Sequence, residues 1–156
     1  IGTGDVAGLT QAIGAAMSAA ANHPARVLRR RRAMESNTVQ DCIFCRIVRG
    51  EIPSRKVHED ELVVAFHDIQ PVAPVHVLVV PKAHIATLYD AAPEHEAALG
   101  RLLALAPRIA RDLGATDGFR TIVNTGRVGR QDVQHVHLHV IGGPDPLGPM
   151  IVRKGN

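Results

Sequence analysis

From residue 41 onward the apolar positions change period several times, and each change marks an element. In DCIFCRIVRG, Ile43, Phe44, Ile47 and Val48 give an apolar side at helical spacing. Asp41 is placed to cap that short helix and Gly50 to end it, with Pro53 following. KVHED and LVVAFHD read as two short strands around a tight acidic turn, and VHVLVVP as a β-branched strand ending at Pro81. Between them lies the Pro-rich loop DIQPVAP. Over residues 93–113 the period lengthens: Leu99, Leu102, Leu103, Ala106, Ile109, Ala110 and Leu113 recur at helical spacing. Pro93 suits the first turn of this long helix and Gly114 the position after its end. Pro107 lies inside it and is expected to remove a hydrogen bond and bend the axis, a cost of ~3 kcal/mol if nothing accommodates it. FRTIVN is a strand, TGRVGRQD a polar, Gly-containing loop, and VQHVHLHVI the last strand. Five strands, mostly joined by short loops, with one short and one long helix predict an α+β fold on an antiparallel sheet rather than a βαβ array.

Composition narrows the picture. The 156 residues suffice for one domain with a core, and one Tyr, three Phe and no Trp make that core aliphatic. No apolar run approaches the ~18 residues of a membrane span. The net charge is +3, but residues 1–33 hold five Arg against one Asp, which leaves residues 34–156 at −1. Basicity therefore belongs to the N-terminal segment, and the charge argues against nucleic-acid binding by the domain. That segment is rich in Ala and Gly, has weak helix propensity over part of residues 9–21, and ends in Arg29 to Arg32. We read residues 1–38 as a flexible or non-native extension, with a transit peptide as the alternative and Met34 as a candidate start, and residues 39–156 as the domain. Two cysteines in one C-x-x-C pair are no secreted disulfide framework, so a reducing, cytoplasmic setting is expected.

The chemistry concentrates in QHVHLHVI at residues 134–141. On a strand, residues i, i+2 and i+4 share a face, roughly 6.6 Å apart. His135, His137 and His139 thus line one side and Val136, Leu138 and Val140 the other. Three imidazoles in strict alternation suit a metal site or catalysis at phosphorus, where a neutral imidazole is a good nucleophile. The preceding loop favours the second: Asn124, Gly126, Gly129 and Gln131 bring backbone and amide donors that fit a phosphate.

HVHLHV with Ile141 is similar to the His-φ-His-φ-His-φ-φ signature of the histidine-triad (HIT) nucleotide-binding proteins. DCIFCRIVRGEIPS, VVAFHDIQPVAPVHVLVVPKAHI and HVHLHVIGGPDPLGPM resemble the Hint branch of phosphoramidases, over roughly residues 40–154. The resemblance implies a five-stranded antiparallel sheet with two helices, continued across a homodimer. It implies hydrolysis of purine nucleoside phosphoramidates, such as AMP joined to an amine. By position, His137 resembles the nucleophile that forms a nucleotidyl-imidazole intermediate. His139 resembles the holder of a phosphate oxygen, and His135 a support whose backbone carbonyl orients His137. Asp68 resembles the ribose-binding carboxylate. Phe44, Phe66 and Ile69 resemble the walls around the base, or are plain core. Asn124 resembles a sugar or phosphate contact, and Gln131 and Val133 fall in the phosphate loop.

Two features depart from the pattern. Many relatives read G-Q-S-V where this chain has Arg130, Gln131, Asp132 and Val133. The replaced Ser contacts phosphate and helps protonate the departing amine. An ionised Asp132 repels phosphate, a protonated one donates, and Arg130 offsets the charge or binds substrate itself. The C-terminus lacks the Trp of animal relatives, and PLGPM looks bacterial. Some relatives with these cysteines hold a structural zinc, and the matching set here is Cys42, Cys45, His84 and His135; two sulfurs and two imidazoles complete a tetrahedral shell. No cofactor is expected in the chemistry itself. His58, His67, His76 and His95 have no assigned partner. Three alternatives stay open: dinucleoside polyphosphate hydrolysis on the same fold, a nucleotide-binding or scaffold module with little turnover, and a metal-binding protein with metal on His137 and His139 as well.

Overall fold

The computed structural model describes residues 39–150, so the expectations for residues 1–38 lie outside the described residues. Five strands form one antiparallel sheet: β1 Lys56–Glu59, β2 Val63–His67, β3 Val75–Pro81, β4 Phe119–Ile122 and β5 Leu138–Gly142. Their order across the sheet is β1-β2-β3-β5-β4. This is the predicted α+β fold. β3 is central and every one of its residues is buried, which explains a sequence that is apolar except for His76.

Alternation along the strands divides the core in two. Val63, Ala65, Val75, Val77, Val79, Leu138 and Val140 face the long helix α2, Glu96–Asp112, and pack against Leu102, Leu105, Ala106, Ile109 and Ala110. Val64, Phe66, Leu78 and Val80 face the other way, against Phe44, Cys45 and Ile47 of the short helix α1, Ile43–Val48, and its neighbour Cys42. The functional side chains stand on this second face.

Local details correct several expectations. The N-cap of α1 is Cys42, not Asp41, and it makes no side-chain capping bond. The Arg46 N–H to Cys42 carbonyl bond opens the helix there, which places both thiols on its inner side. Ile43 turns outward, 46% exposed, and Cys45 takes its place inside. In α2, Leu103 is 58% exposed while Leu105 is buried. The true stripe runs 102, 105, 106, 109, 110, and Leu103 falls one step off it. A 3-10 turn, Pro93–His95, precedes α2, and Gly114 follows it. Pro107 sits on the solvent side with exposed Leu103, Ala104, Arg108 and Arg111, and the helix continues through it. Gly50 ends α1 at φ 77°, a conformation that costs glycine nothing. The last strand is shorter than expected: residues 133–137 approach it outside the ladder, anchored by the Val136 N–H to the Ile85 carbonyl at 2.7 Å.

Candidate active site

The alternation of residues 135–140 holds although half the segment lies outside the ladder. Val136, Leu138 and Val140 enter the α2 core. His135 and His137 turn to the α1 face, where the Phe44 ring meets both edge-on, with centroids 6.0 and 5.2 Å away. His139 follows on β5, opposite Leu78 of β3. The His137 and His139 rings are 5.0 Å apart. His135 and His137 are buried, and His139 is half-buried.

Hydrogen bonds fix which ring nitrogen carries the proton in the neutral tautomer of each histidine. A carbonyl only accepts, so His137 donates Nδ1–H to the His135 carbonyl at 2.7 Å. Its Nε2 is left with a lone pair. His139 is set in the opposite sense by a residue the sequence left without a role. The Val72 N–H donates to Nδ1 of His76 at 3.2 Å, so the proton of His76 sits on Nε2. That Nε2–H donates to Nδ1 of His139 at 2.9 Å, which leaves His139 with its proton on Nε2. Neighbouring imidazoles therefore present a lone pair and a donor. Burial, with His137 and His76 nearby, pushes His139 down to about 4, so it stays neutral at pH 7. Burial also lowers His76, against the pull of Asp68.

His135 joins a second cluster through its side chain. Its Nε2–H donates to the Pro81 carbonyl at 2.8 Å, which turns the Nδ1 lone pair toward Cys42 Sγ at 3.4 Å, Cys45 Sγ at 3.5 Å and His84 Nδ1 at 3.2 Å. Cys45 Sγ lies 3.2 Å from His84 Nδ1. Tetrahedral zinc with these ligand types sets such spacings at about 3.3–3.6 Å. A ring N–H on a backbone carbonyl is also how metal-bound histidines are usually held. Burial, then Cys42 beside it, pushes the Cys45 thiol up to about 12. Burial pushes His135 down to about 4 and lowers His84. A divalent cation would reverse the thiol's sign, because a ligating sulfur is deprotonated outright. Asp68, His76 and His139 also converge, but the tautomer of His76 puts a proton where a metal would need its lone pair. Only the first cluster fits a metal.

Beside the triad an apolar cleft of about 650 Å³ opens between α1 and the loop after β2, lined by Ile43, Phe44, Ile47, Phe66, Asp68 and Ile69 among others. Ile69 is at its rim, 94% exposed. Asp68 is held by the Gln70 N–H on Oδ1 at 2.8 Å, and its Oδ2 lies 3.5 Å from His76 Nε2. Gln131 is buried and differs from expectation. Its Nε2 donates to the Ala86 and Val133 carbonyls, and its Oε1 accepts from the Gly126 N–H. Its amide therefore shapes the loop rather than facing a phosphate. Val133 packs with the α1 cluster. Asn124 is half-buried just past β4, and Asp132 is exposed on the loop. Of the remaining histidines, His58 bonds Asp60 and Arg108, His95 accepts from the Ala92 N–H, and His67 lines the cleft.

Comparison with known proteins agrees with this arrangement. The sequence profile of the HIT domain matches residues 49–145. The purine nucleoside phosphoramidase of Escherichia coli K12 is 50% identical over 117 residues, which cover 74% of this chain and 98% of that protein. Protein HitA of Neisseria gonorrhoeae is 48% identical, over 68% of this chain and 99% of its own. Among solved structures, a HIT family hydrolase from Clostridium thermocellum superposes with TM-score 0.68 at 42% identity, over 74% of this chain and all of that one. A histidine triad protein from Clostridium difficile does so with TM-score 0.65 at 44% identity, over 70% and 96% of the two chains.

Proposed function

The chain belongs to the HIT domain family, and we propose on that premise that it is a nucleotide hydrolase cleaving the P–N bond of purine nucleoside 5′-phosphoramidates. The observation that carries this reading is the opposed pair of tautomers on His137 and His139. Nε2 of His137 attacks the phosphorus; the P–N bond breaks, and its electron pair leaves with the nitrogen, which takes a proton. Nε2–H of His139 donates to a phosphate oxygen as charge gathers there. Water then displaces His137 from the nucleotidyl-imidazole, giving the monophosphate and the free ring. Splitting one displacement into two lowers each barrier. The phosphoramidase name of the Escherichia coli relative supports the substrate class.

The cleft lined by Phe44, Phe66 and Asp68 supports this reading: its apolar walls would seat a base and the Asp68 carboxylate would accept from ribose hydroxyls. The Cys42, Cys45, His84 and His135 cluster would hold a structural zinc. Bound there, it would hold the His135 ring in place, and with it the carbonyl that orients His137. β4 stands at a sheet edge, which suits a homodimer with a continued sheet. No helix among the described residues is long and apolar enough to cross a membrane. The two free thiols suit a reducing, cytoplasmic setting.

The test mixes the protein with a fluorogenic adenosine phosphoramidate, beside a His137→Ala variant, and follows amine release and protein mass. Turnover lost in the variant, with an AMP adduct trapped on the wild type, is the expected result. AMP binding with no turnover would overturn the phosphoramidase reading in favour of polyphosphate substrates or a binding module.

A further inference from the structure

Sheet bonds do not hold the approach to the triad. Residues 133–137 lie outside the ladder, and residues 82–87, between β3 and the turn Leu88–Asp90, belong to no strand or helix. The two segments hold each other instead, through three consecutive residues of the second. His84 Nδ1 lies 3.2 Å from His135 Nδ1 in the thiol–imidazole cluster. The Ile85 carbonyl accepts the Val136 N–H at 2.7 Å. The Ala86 carbonyl accepts an Nε2–H of Gln131 at 2.6 Å. The second amide hydrogen of Gln131 goes to the Val133 carbonyl at 2.9 Å, which also accepts the His135 N–H at 2.8 Å. Oε1 of Gln131 accepts the Gly126 N–H at 2.9 Å, and its own backbone N–H donates to the Gly126 carbonyl at 3.1 Å, which closes the loop of residues 126–131 at its neck. Gln131 is 7% exposed, and among the described residues no other side chain of residues 124–133 makes a hydrogen bond.

One side chain therefore ties the loop that runs into the triad to the residue two places after His84. Ile85 is pinned in the α2 core, so what fixes the His84 ring before it fixes the Ala86 carbonyl after it. On the nucleotide-hydrolase reading, on which this inference rests, that loop meets the phosphate. We propose that Gln131 is a positioning residue coupling the two sites: metal on Cys42, Cys45, His84 and His135 strengthens nucleotide binding at the triad, and nucleotide strengthens metal binding. The physical basis is shared ordering. A four-ligand ion would replace loose thiol and imidazole contacts with bonds of fixed length, and the segment it stills is the one on which the loop rests. The second ligand then meets a loop already ordered and loses less chain entropy on binding. Such coupling is reciprocal, each ligand changing the affinity of the other by the same factor. It is separate from the route through the His135 carbonyl, which sets the proton of His137, whereas Gln131 sets the loop.

The experiment titrates the full chain with AMP by calorimetry, zinc-loaded and zinc-free, and measures zinc affinity against a chromogenic chelator with and without saturating AMP. We expect zinc to tighten AMP about tenfold, and AMP to tighten zinc by the same factor. In Gln131→Met, which keeps the length and loses the amide, zinc still binds at one ion per chain and AMP affinity no longer depends on it. Amide exchange in the wild type needs no variant: zinc should slow the Gly126 and Gln131 N–H groups, the two that close the loop. Should Gln131→Met fail to fold, these two amides decide. Equal AMP affinities with and without zinc would overturn the proposal, as would loop amides indifferent to zinc. Coupling that survives in Gln131→Met would overturn it too, since gross unfolding of the zinc-free chain would act in that variant as in the wild type. If AMP fails to bind in either state, the nucleotide reading itself falls, and the proposal with it. If AMP binds and zinc does not, the proposal alone falls.

Discussion

His76 places a proton two bonds away from the chemistry. It accepts from Val72 and donates to His139, so its loss frees Nδ1 of His139 to hold the proton. Half or more of His139 would then offer a lone pair to the phosphate instead of a donor. A His76→Phe variant is expected to lose about 100-fold in kcat, the scale of one transition-state donor, with a smaller change in KM. Nitrogen NMR of the imidazoles supplies the readout a merely structural role would not move: His139 should change from one tautomer to a mixture. Unchanged tautomers with a lowered kcat would sink this account. Gly129 is a second residue-scale case, since Gly129→Ala drives a Cβ into the Thr125 backbone. Chemical denaturation should register a loss of about 1–3 kcal/mol. The sequence exposed the triad, the C-x-x-C pair and His84, because strict alternation and close spacing are local signals. It did not expose His76, whose partner is 63 residues away and meets it only through the pairing of β3 with β5. Its parity with Leu78 and Val80 on a central strand was the available clue.

The helices show a different limit. Every element expected between residues 41 and 142 exists, because each has a clear period or turn signal. What went astray was its phase by one residue. Asp41 and Cys42 both precede the apolar run, and burial of two thiols, not capping strength, decides between them. Leu103 and Leu105 flank the α2 stripe equally in sequence, and only packing against the sheet selects Leu105. Pro107 persists because its missing N–H falls on the wet side of α2, where the carbonyl of exposed Leu103, denied that bond, can reach water. That placement limits its cost without removing it. Pro107→Ala restores one helical bond and improves propensity, partly offset by a looser unfolded chain. The variant should gain about 1–2 kcal/mol in urea unfolding, with turnover unchanged. Destabilisation would mean that the proline ring itself packs in a way the exposure pattern does not convey.

At the scale of the molecule, the thiol–imidazole cluster that would hold a metal and the tautomer of the proposed nucleophile meet at His135. Its ring belongs to the thiol cluster while its carbonyl fixes His137, so whatever loosens the ring loosens the tautomer of the nucleophile. Acid is one such agent. His135 and His139 are both pushed down to about 4 by burial, and His84 and His76 shift the same way. At His135 and His139 the unfolded chain takes up a proton below about 6.5, whereas the fold refuses it until about 4. Their stabilising contribution is therefore full above pH 6.5 and lost as pH falls toward 4, at up to about 1.4 kcal/mol per pH unit for each group. A zinc ion on Cys42, Cys45, His84 and His135 would be displaced by protons over the same range, since its ligands must be deprotonated. Zinc release, followed with a chromogenic chelator, should thus track the fall in Tm between pH 6.5 and 4, at one ion per chain. Chelation at pH 7 should lower Tm and kcat together, while His137→Ala should keep its metal and its Tm. A Tm that is flat from pH 6.5 to 4, or protein purified without added metal that yields no zinc, would break the link between the two clusters. His135 would then be a buried histidine whose carbonyl alone matters.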